Sequence, residues 1–249
     1  MELRYIKWGK FFKSCLSKKC LKRIPHMWSL QWFLSGVIRE QEMLIINLDQ
    51  LNKDLYLEYA GIKFIPDLIG YPTIFFSWKD YPIELIKLQD KVLDLGACVG
   101  GFALPASKRA KIVYAVEPIR SLVQLLKKNI QLNGISNIKV LPYALGKING
   151  TEIISYEGLS SICQVLNCKS LLNLVGKVDV VKMDCEGAEW FLDWDILKNV
   201  RLLFGELHYN KYPKGWDFLK EWLKRNKYQY IHRYSGRKKL GYFIAEKEV

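Results

Sequence analysis

Two groups of side chains in this 249-residue chain have types and spacing suited to chemistry. One is K-M-D-C-E-G-A-E at 182–189, where Asp184, Glu186 and Glu189 put three carboxylates within six residues; G-E-L-H follows at 205–208 and adds Glu206 and His208. Carboxylates and an imidazole can take a proton from a weak nucleophile. They can also hold a divalent ion that acidifies it. The competing reading is a capping role for Glu186 or Glu189, because helix N-termini favour acids. The other group is a glycine loop, G-A-C-V-G-G at 96–101, followed about 20 residues later by Glu117.

The elements around these residues can be read from their pattern. A short apolar run (Val92, Leu93, Leu95) carries Asp94 and breaks at Gly96. A helix-like segment over 102–109 follows the loop, then a β-branched strand over 112–116 that stops at Glu117. Strand, glycine turn, helix, strand and acid form the first half of a nucleotide-binding α/β unit. Gly96 and Gly100 let a ligand approach the main chain, and the helix N-terminus adds partial positive charge there. Glu117 is placed to accept hydrogen bonds from ribose hydroxyls. A dinucleotide fingerprint would read G-x-G-x-x-G; no glycine lies two residues after Gly96, so close approach of a pyrophosphate is not favoured.

Beyond this unit the alternation is regular. Ile119, Leu122, Val123, Leu126 and Ile130 share a helix face that ends at Asn133-Gly134. Strands are predicted over 138–141, 151–155, 178–183, 202–207, 228–233 and 240–245, with a loop over 158–161 and an amphipathic helix through Trp216, Leu219 and Leu223. Ligands of open α/β sheets sit at the carboxyl ends of strands, so Asp184 should face the same crevice as Gly96 and Glu117.

Composition sets the bounds. Half the residues are hydrophobic and the net charge is +13. That suits a folded domain with an anionic partner, whether nucleic acid, an acidic membrane face or an acidic substrate. The six cysteines contain no C-x-x-C pair and read as reduced thiols. No run reaches the roughly 20 apolar residues of a membrane span. The expectation is a cytoplasmic protein with peripheral membrane contact as an option. Residues 1–23 hold eight basic residues against the single acid Glu2, beside a helical stripe of Tyr5, Trp8, Phe12 and Leu16. They read either as a helix touching anionic lipid or RNA, or as a solvated face with its aromatics packed on the domain. Residues 68–78 read as a lid or as a segment flanking the cofactor.

Taken together, D-L-G-A-C-V-G-G-F, A-V-E-P, A-L-G, the serine of 158–161, K-M-D-C-E-G-A-E and G-E-L-H resemble, in that order, the FkbM family of S-adenosylmethionine-dependent methyltransferases. The resemblance covers roughly 91–209. It implies a Rossmann-like class I methyltransferase fold: a mostly parallel seven-stranded sheet, last strand antiparallel, with helices on both faces. The expected organisation is a basic, mainly helical N-terminal extension over 1–75 and the methyltransferase domain over 76–249. The implied cofactor is S-adenosylmethionine, held by Asp94, Gly96, Ala97, Cys98, Gly100, Glu117, Pro118, Ala144 and Asp184. The implied reaction is methyl transfer to an oxygen of a sugar, glycan or related small molecule, with Asp184, Glu186 and His208 catalytic and Asp184 or His208 as base. Asp184, Glu186 and Glu206 could hold Mg²⁺, but positioning without a metal is the expectation. This chain departs from the family at Cys98, where asparagine is common, and at Gly101, where an aromatic often follows.

Two alternatives stand beside this reading. F-A-L-P-A, V-Y-A-V-E-P and K-K-N-I-Q-L-N-G also resemble tRNA guanine methyltransferases, which usually carry an N-[LP]-P motif where this chain has D-C-E-G-A-E. A binding protein for nucleic acid or membrane on an inactive methyltransferase scaffold is the other; cofactor binding separates it from both enzymes.

Overall fold

The computed structural model describes residues 45–46, 57–59, 61–65, 81–235 and 239–248. The basic stretch over 1–23 and the lid expected over 68–78 lie outside them. Three short strands, β1 (Ile45–Ile46), β2 (Leu57–Tyr59) and β3 (Ile62–Phe64), form a small antiparallel sheet. These strands fall within the expected N-terminal extension over 1–75, most of which lies outside the described residues. Gly61, at φ 72°, turns β2 into β3, and alternation then buries Ile62 and Phe64.

The main sheet contains β4 (Lys91–Leu95), β5 (Ile112–Val116), β6 (Ile138–Leu141), β10 (Val180–Met183), β11 (Leu202–His208), β12 (Tyr228–Ser235) and β13 (Leu240–Lys247). Its spatial order is β6-β5-β4-β10-β11-β13-β12, and only β13 runs antiparallel. The first five strands follow the doubly wound order, which reverses at β4 and opens a crevice at the strands' carboxyl ends. A hairpin with β13 inserted against β11 completes the class I methyltransferase fold. Strands β4, β10 and β11 are buried on both faces, which is why they read as continuous apolar runs. Hydrophobic cores lie on each side of the sheet.

Helices α1 (Ala103–Ser107), α2 (Arg120–Leu132), α3 (Cys168–Val175) and α4 (Gly215–Arg225) connect the strands. Asn129, fully buried on α2, accepts from Ile65 N at 2.8 Å and donates to Val99 O at 2.9 Å, so it ties the small sheet to the glycine loop. Helix α3 has no counterpart among the predicted elements. Its signals are local: Asn167 Oδ1 caps Ser170 N at 2.9 Å, and Gly176, at φ 72°, ends it.

Between β6 and α3 the chain makes β7 (Tyr143–Leu145), β8 (Gly150–Tyr156) and β9 (Leu159–Leu166), a three-stranded sheet ordered β7-β9-β8. The loop expected over 158–161 is instead a two-residue turn running straight into β9. Glu157 and Gly158 have φ of 48° and 80°, the pattern of a tight hairpin turn, and Tyr156 pairs with Leu159.

Candidate active site

The glycine loop leaves β4 under the control of neighbouring backbone. Gly96 N and Ala97 N both donate to Val116 O, at 3.0 and 2.9 Å. Gly96 has φ 77°, and a Cβ there would lie 1.8 Å from the Asp184 carbonyl oxygen. Only glycine allows this approach, which joins the loop directly to the end of β10. Cys98 holds φ 47°, and its N–H donates to Glu117 Oε2 at 2.9 Å; Glu117 Oε1 accepts from Ile119 N at 2.8 Å. Burial raises the Glu117 carboxyl to about 7 despite these two bonds.

Behind the loop lies Lys182, the one charge in the apolar run of β10. Its Nζ donates to Gly96 O at 2.8 Å and sits 3.0 Å from Asp94, both side chains being buried. Burial works against the ammonium, but the carboxylates of Asp94 and Asp184 outweigh it and raise its pKa. Asp94 thus braces the loop from beneath. Lys182 lay inside a motif of the sequence without a role; a lysine among Val180, Val181 and Met183 was the available signal.

At the other end of the crevice, Asp184 Oδ2 accepts from the Tyr81 hydroxyl at 3.1 Å. Tyr81 is buried and packs against Phe102 and Phe204. Nothing in its local sequence pointed to it. Glu186, at φ 56°, and Gly187, at φ 100°, turn the chain into a short 3-10 segment rather than an α-helix. Glu189 is fully buried: Oε2 accepts from Gly187 N at 2.8 Å, and Oε1 accepts from His208 N at 2.6 Å and lies 3.0 Å from His208 Nδ1. It caps the turn and also orients the histidine.

His208 Nε2 lies 3.3 Å from Glu186 and 3.8 Å from Glu206. Burial opposes the charge on His208, but its bonds to Glu186 and Glu189 raise its pKa to about 10. With no cation beside it the ring is held protonated between these carboxylates, and in that state it has no lone pair with which to act as a base. The same pairing lowers the pKa of Glu186. Burial, helped by Asp184, raises that of Glu206 to about 7.

These groups open on a cleft of about 1190 Å³ at the carboxyl ends of the strands. Gly96, Cys98, Glu117, Pro118, Ala144, Asp184 and Glu186 line it, as do Tyr81, Trp190, Glu206, Lys211 and Tyr242. Asp94, Ala97, Gly100 and His208 stand behind that lining. Asp94 faces Lys182, and Ala97 and Gly100 form the loop's internal hydrogen bond at 2.8 Å. The volume exceeds the usual range for one small molecule, leaving room for a cofactor and part of an acceptor. β8 and β9 form one wall, tied to α2 by Arg120 N donating to Ser161 Oγ at 2.9 Å. Among the described residues no helix is long and apolar enough to cross a membrane.

No family model matches the chain. It is 30% identical over 205 residues to the 23S rRNA (uracil(1939)-C(5))-methyltransferase RlmD of Vesicomyosocius okutanii, covering 67% of this chain and 45% of that protein. Over 88 residues it is 34% identical to the tRNA (guanine(37)-N(1))-methyltransferase Trm5b of Methanocaldococcus jannaschii, covering 35% of this chain and 24% of that one. The chain spans less than half the length of either relative. Among solved structures, the methyltransferase FkbM of Methylobacillus flagellatus matches with a TM-score of 0.47 at 18% identity, over 72% of this chain and 52% of that chain.

Proposed function

We propose that this chain is an S-adenosylmethionine-dependent methyltransferase and that its acceptor is RNA. One observation carries the first part: the glycine loop and Glu117 open on the same cleft as Asp184, Glu186 and Glu206. The residues fit the cofactor. Each Glu117 oxygen accepts one backbone N–H and keeps a lone pair for a ribose hydroxyl. Gly96, Cys98, Pro118 and Ala144 supply walls without bulky side chains. The cofactor, when bound, supplies a methyl group activated on a sulfonium.

The chain's own residues do the rest. Holding two reactants in line provides much of the acceleration of a displacement. Asp184, fixed by the Tyr81 hydroxyl, orients the acceptor atom and takes its proton. Lys182 holds the loop's carbonyl edge, and Glu189 holds His208.

Support for RNA comes from the relatives, which are named as rRNA and tRNA methyltransferases, and from the net charge of +13. These favour RNA over the sugar hydroxyl implied by the FkbM resemblance. One observation favours that second reading. Asp184, Glu186 and Glu206 make the acceptor end acidic, which repels phosphates and suits a neutral hydroxyl. The test is calorimetry with S-adenosylmethionine, then incubation with methyl-labelled cofactor and host RNA, glycan and lipid fractions. Label in RNA is the expected result, and label in glycan selects the hydroxyl reading. A folded protein with no affinity for the cofactor refutes both.

A further inference from the structure

We infer that Asp184, Glu186 and His208 form a binding site for one divalent cation of the Mg²⁺ or Mn²⁺ class, against the metal-free expectation from sequence. The site lies at the acceptor end of the cleft and rests on the transferase reading for what the cation would do there. One ligand atom from each side chain lies within 4.8 Å of the others. Atoms sharing an octahedral cation at bond lengths of about 2.1 Å sit roughly 3–4 Å apart. A small contraction brings the three into range, and Glu186, with its side chain 58% exposed, has room to make it.

His208 is aimed at this point from behind. Glu189 Oε1 lies 3.0 Å from Nδ1 and accepts the His208 backbone N–H at 2.6 Å, which fixes the ring plane and turns Nε2 toward Glu186 and Glu206. A carboxylate behind the far ring nitrogen is the usual support of a metal-ligating histidine: the cation would replace the proton on Nε2, which leaves to solvent, while Nδ1–H stays donated to Glu189. Glu189 itself is fully buried and away from the cleft. Burying a carboxylate is costly, and orienting His208 gives this one a use.

The donor set points to the cation class. Structural zinc closes four ligands, commonly with sulfur. Two carboxylates beside one imidazole make a mainly oxygen donor set, which suits Mn²⁺ best and Mg²⁺ less well, and Zn²⁺ is the competitor to include in the titration. Glu206, 3.8 Å from Nε2, is available as a fourth group. The open side faces the cleft, so the cation would meet the acceptor's reacting group and lower its proton affinity.

The 249-residue protein titrated with Mn²⁺, followed by calorimetry and by the metal's electron paramagnetic resonance, tests the site. Wild type, Glu186→Gln and Asp184→Asn are compared, with S-adenosylmethionine affinity and thermal melting measured on each. Wild type should bind one Mn²⁺, displaceable by Mg²⁺. Each substitution should weaken binding by about tenfold or more, and Glu186→Gln, at an exposed position, should melt like wild type without metal. No saturable Mn²⁺ binding, or equal affinity in all three proteins, overturns the site. Cofactor binding without Mn²⁺ binding refutes the cation site and leaves the transferase reading standing. Mn²⁺ binding without cofactor affinity supports the site and removes the transferase reading.

Discussion

Glu117 gives each carboxylate oxygen to a backbone N–H, from Cys98 and Ile119, while its carboxyl is raised to about 7 by burial. Its folded value lies above the ordinary 4.5, so its contribution to stability is complete below about 4.5 and is lost as pH rises through about 7. Cofactor affinity should run the other way, rising through the same window as the carboxylate forms. Glu117→Gln should flatten both slopes. It leaves one oxygen for two N–H donors, so melting should also show a loss of about 1–3 kcal/mol, and calorimetry a roughly ten- to hundredfold loss of affinity. Unchanged affinity in a folded variant would remove Glu117 from the cofactor site. Asp184→Asn keeps the shape beside Tyr81 but loses charge and basicity. Turnover on the identified acceptor should fall ~10²-fold or more, with cofactor affinity nearly constant; near-normal turnover would retire the catalytic role. Both acids were legible in sequence because each ends an apolar strand. Tyr81 was not, because only the tertiary fold brings it to Asp184, 103 residues away.

At the scale of elements, regular amphipathic patterns translated well and short irregular ones did not. Helix α2 appears where its apolar stripe and Asn133-Gly134 stop put it. Helix α3 is only eight residues long and relies on a side-chain cap, a weaker signal than a long stripe. The 158–161 stretch looked like a loop because glycine and serines dominate it. Ser161 instead sits in β9, its Oγ accepting the otherwise uncapped N-terminal N–H of α2. Ser161→Ala should cost about 1 kcal/mol, visible as a lower melting temperature. Lys182 and Asp94 join β10 to β4 inside the sheet. Lys182→Met leaves the Asp94 carboxylate buried and unpaired, and denaturant unfolding should show a loss of about 3–5 kcal/mol. A loss below 1 kcal/mol would mean that the pair does not brace the loop.

For the whole molecule, the charge of +13 and the acidic acceptor end are opposites in one chain. The net charge would draw a polyanion to the protein, and the cleft would meet it with the carboxylates of Asp184, Glu186 and Glu206. Deleting residues 1–23 removes eight basic side chains, so retention on RNA at low salt should drop while cofactor affinity stays constant. Equal retention would assign the basic segment another task. The strands of the main sheet were legible from their apolar runs, whereas the seven-stranded arrangement came from the family resemblance. The pairing of Glu189 with His208 was not, since it joins two segments 19 residues apart around a 3-10 turn. Gly96 has no space between itself and the Asp184 carbonyl. That wall is therefore the part of the cleft least open to redesign, whether by selection or in the laboratory. A change of acceptor preference has to be written on the opposite side, in β8, β9 and the Trp190 surface, where side chains can be exchanged without displacing the seat of the methyl donor.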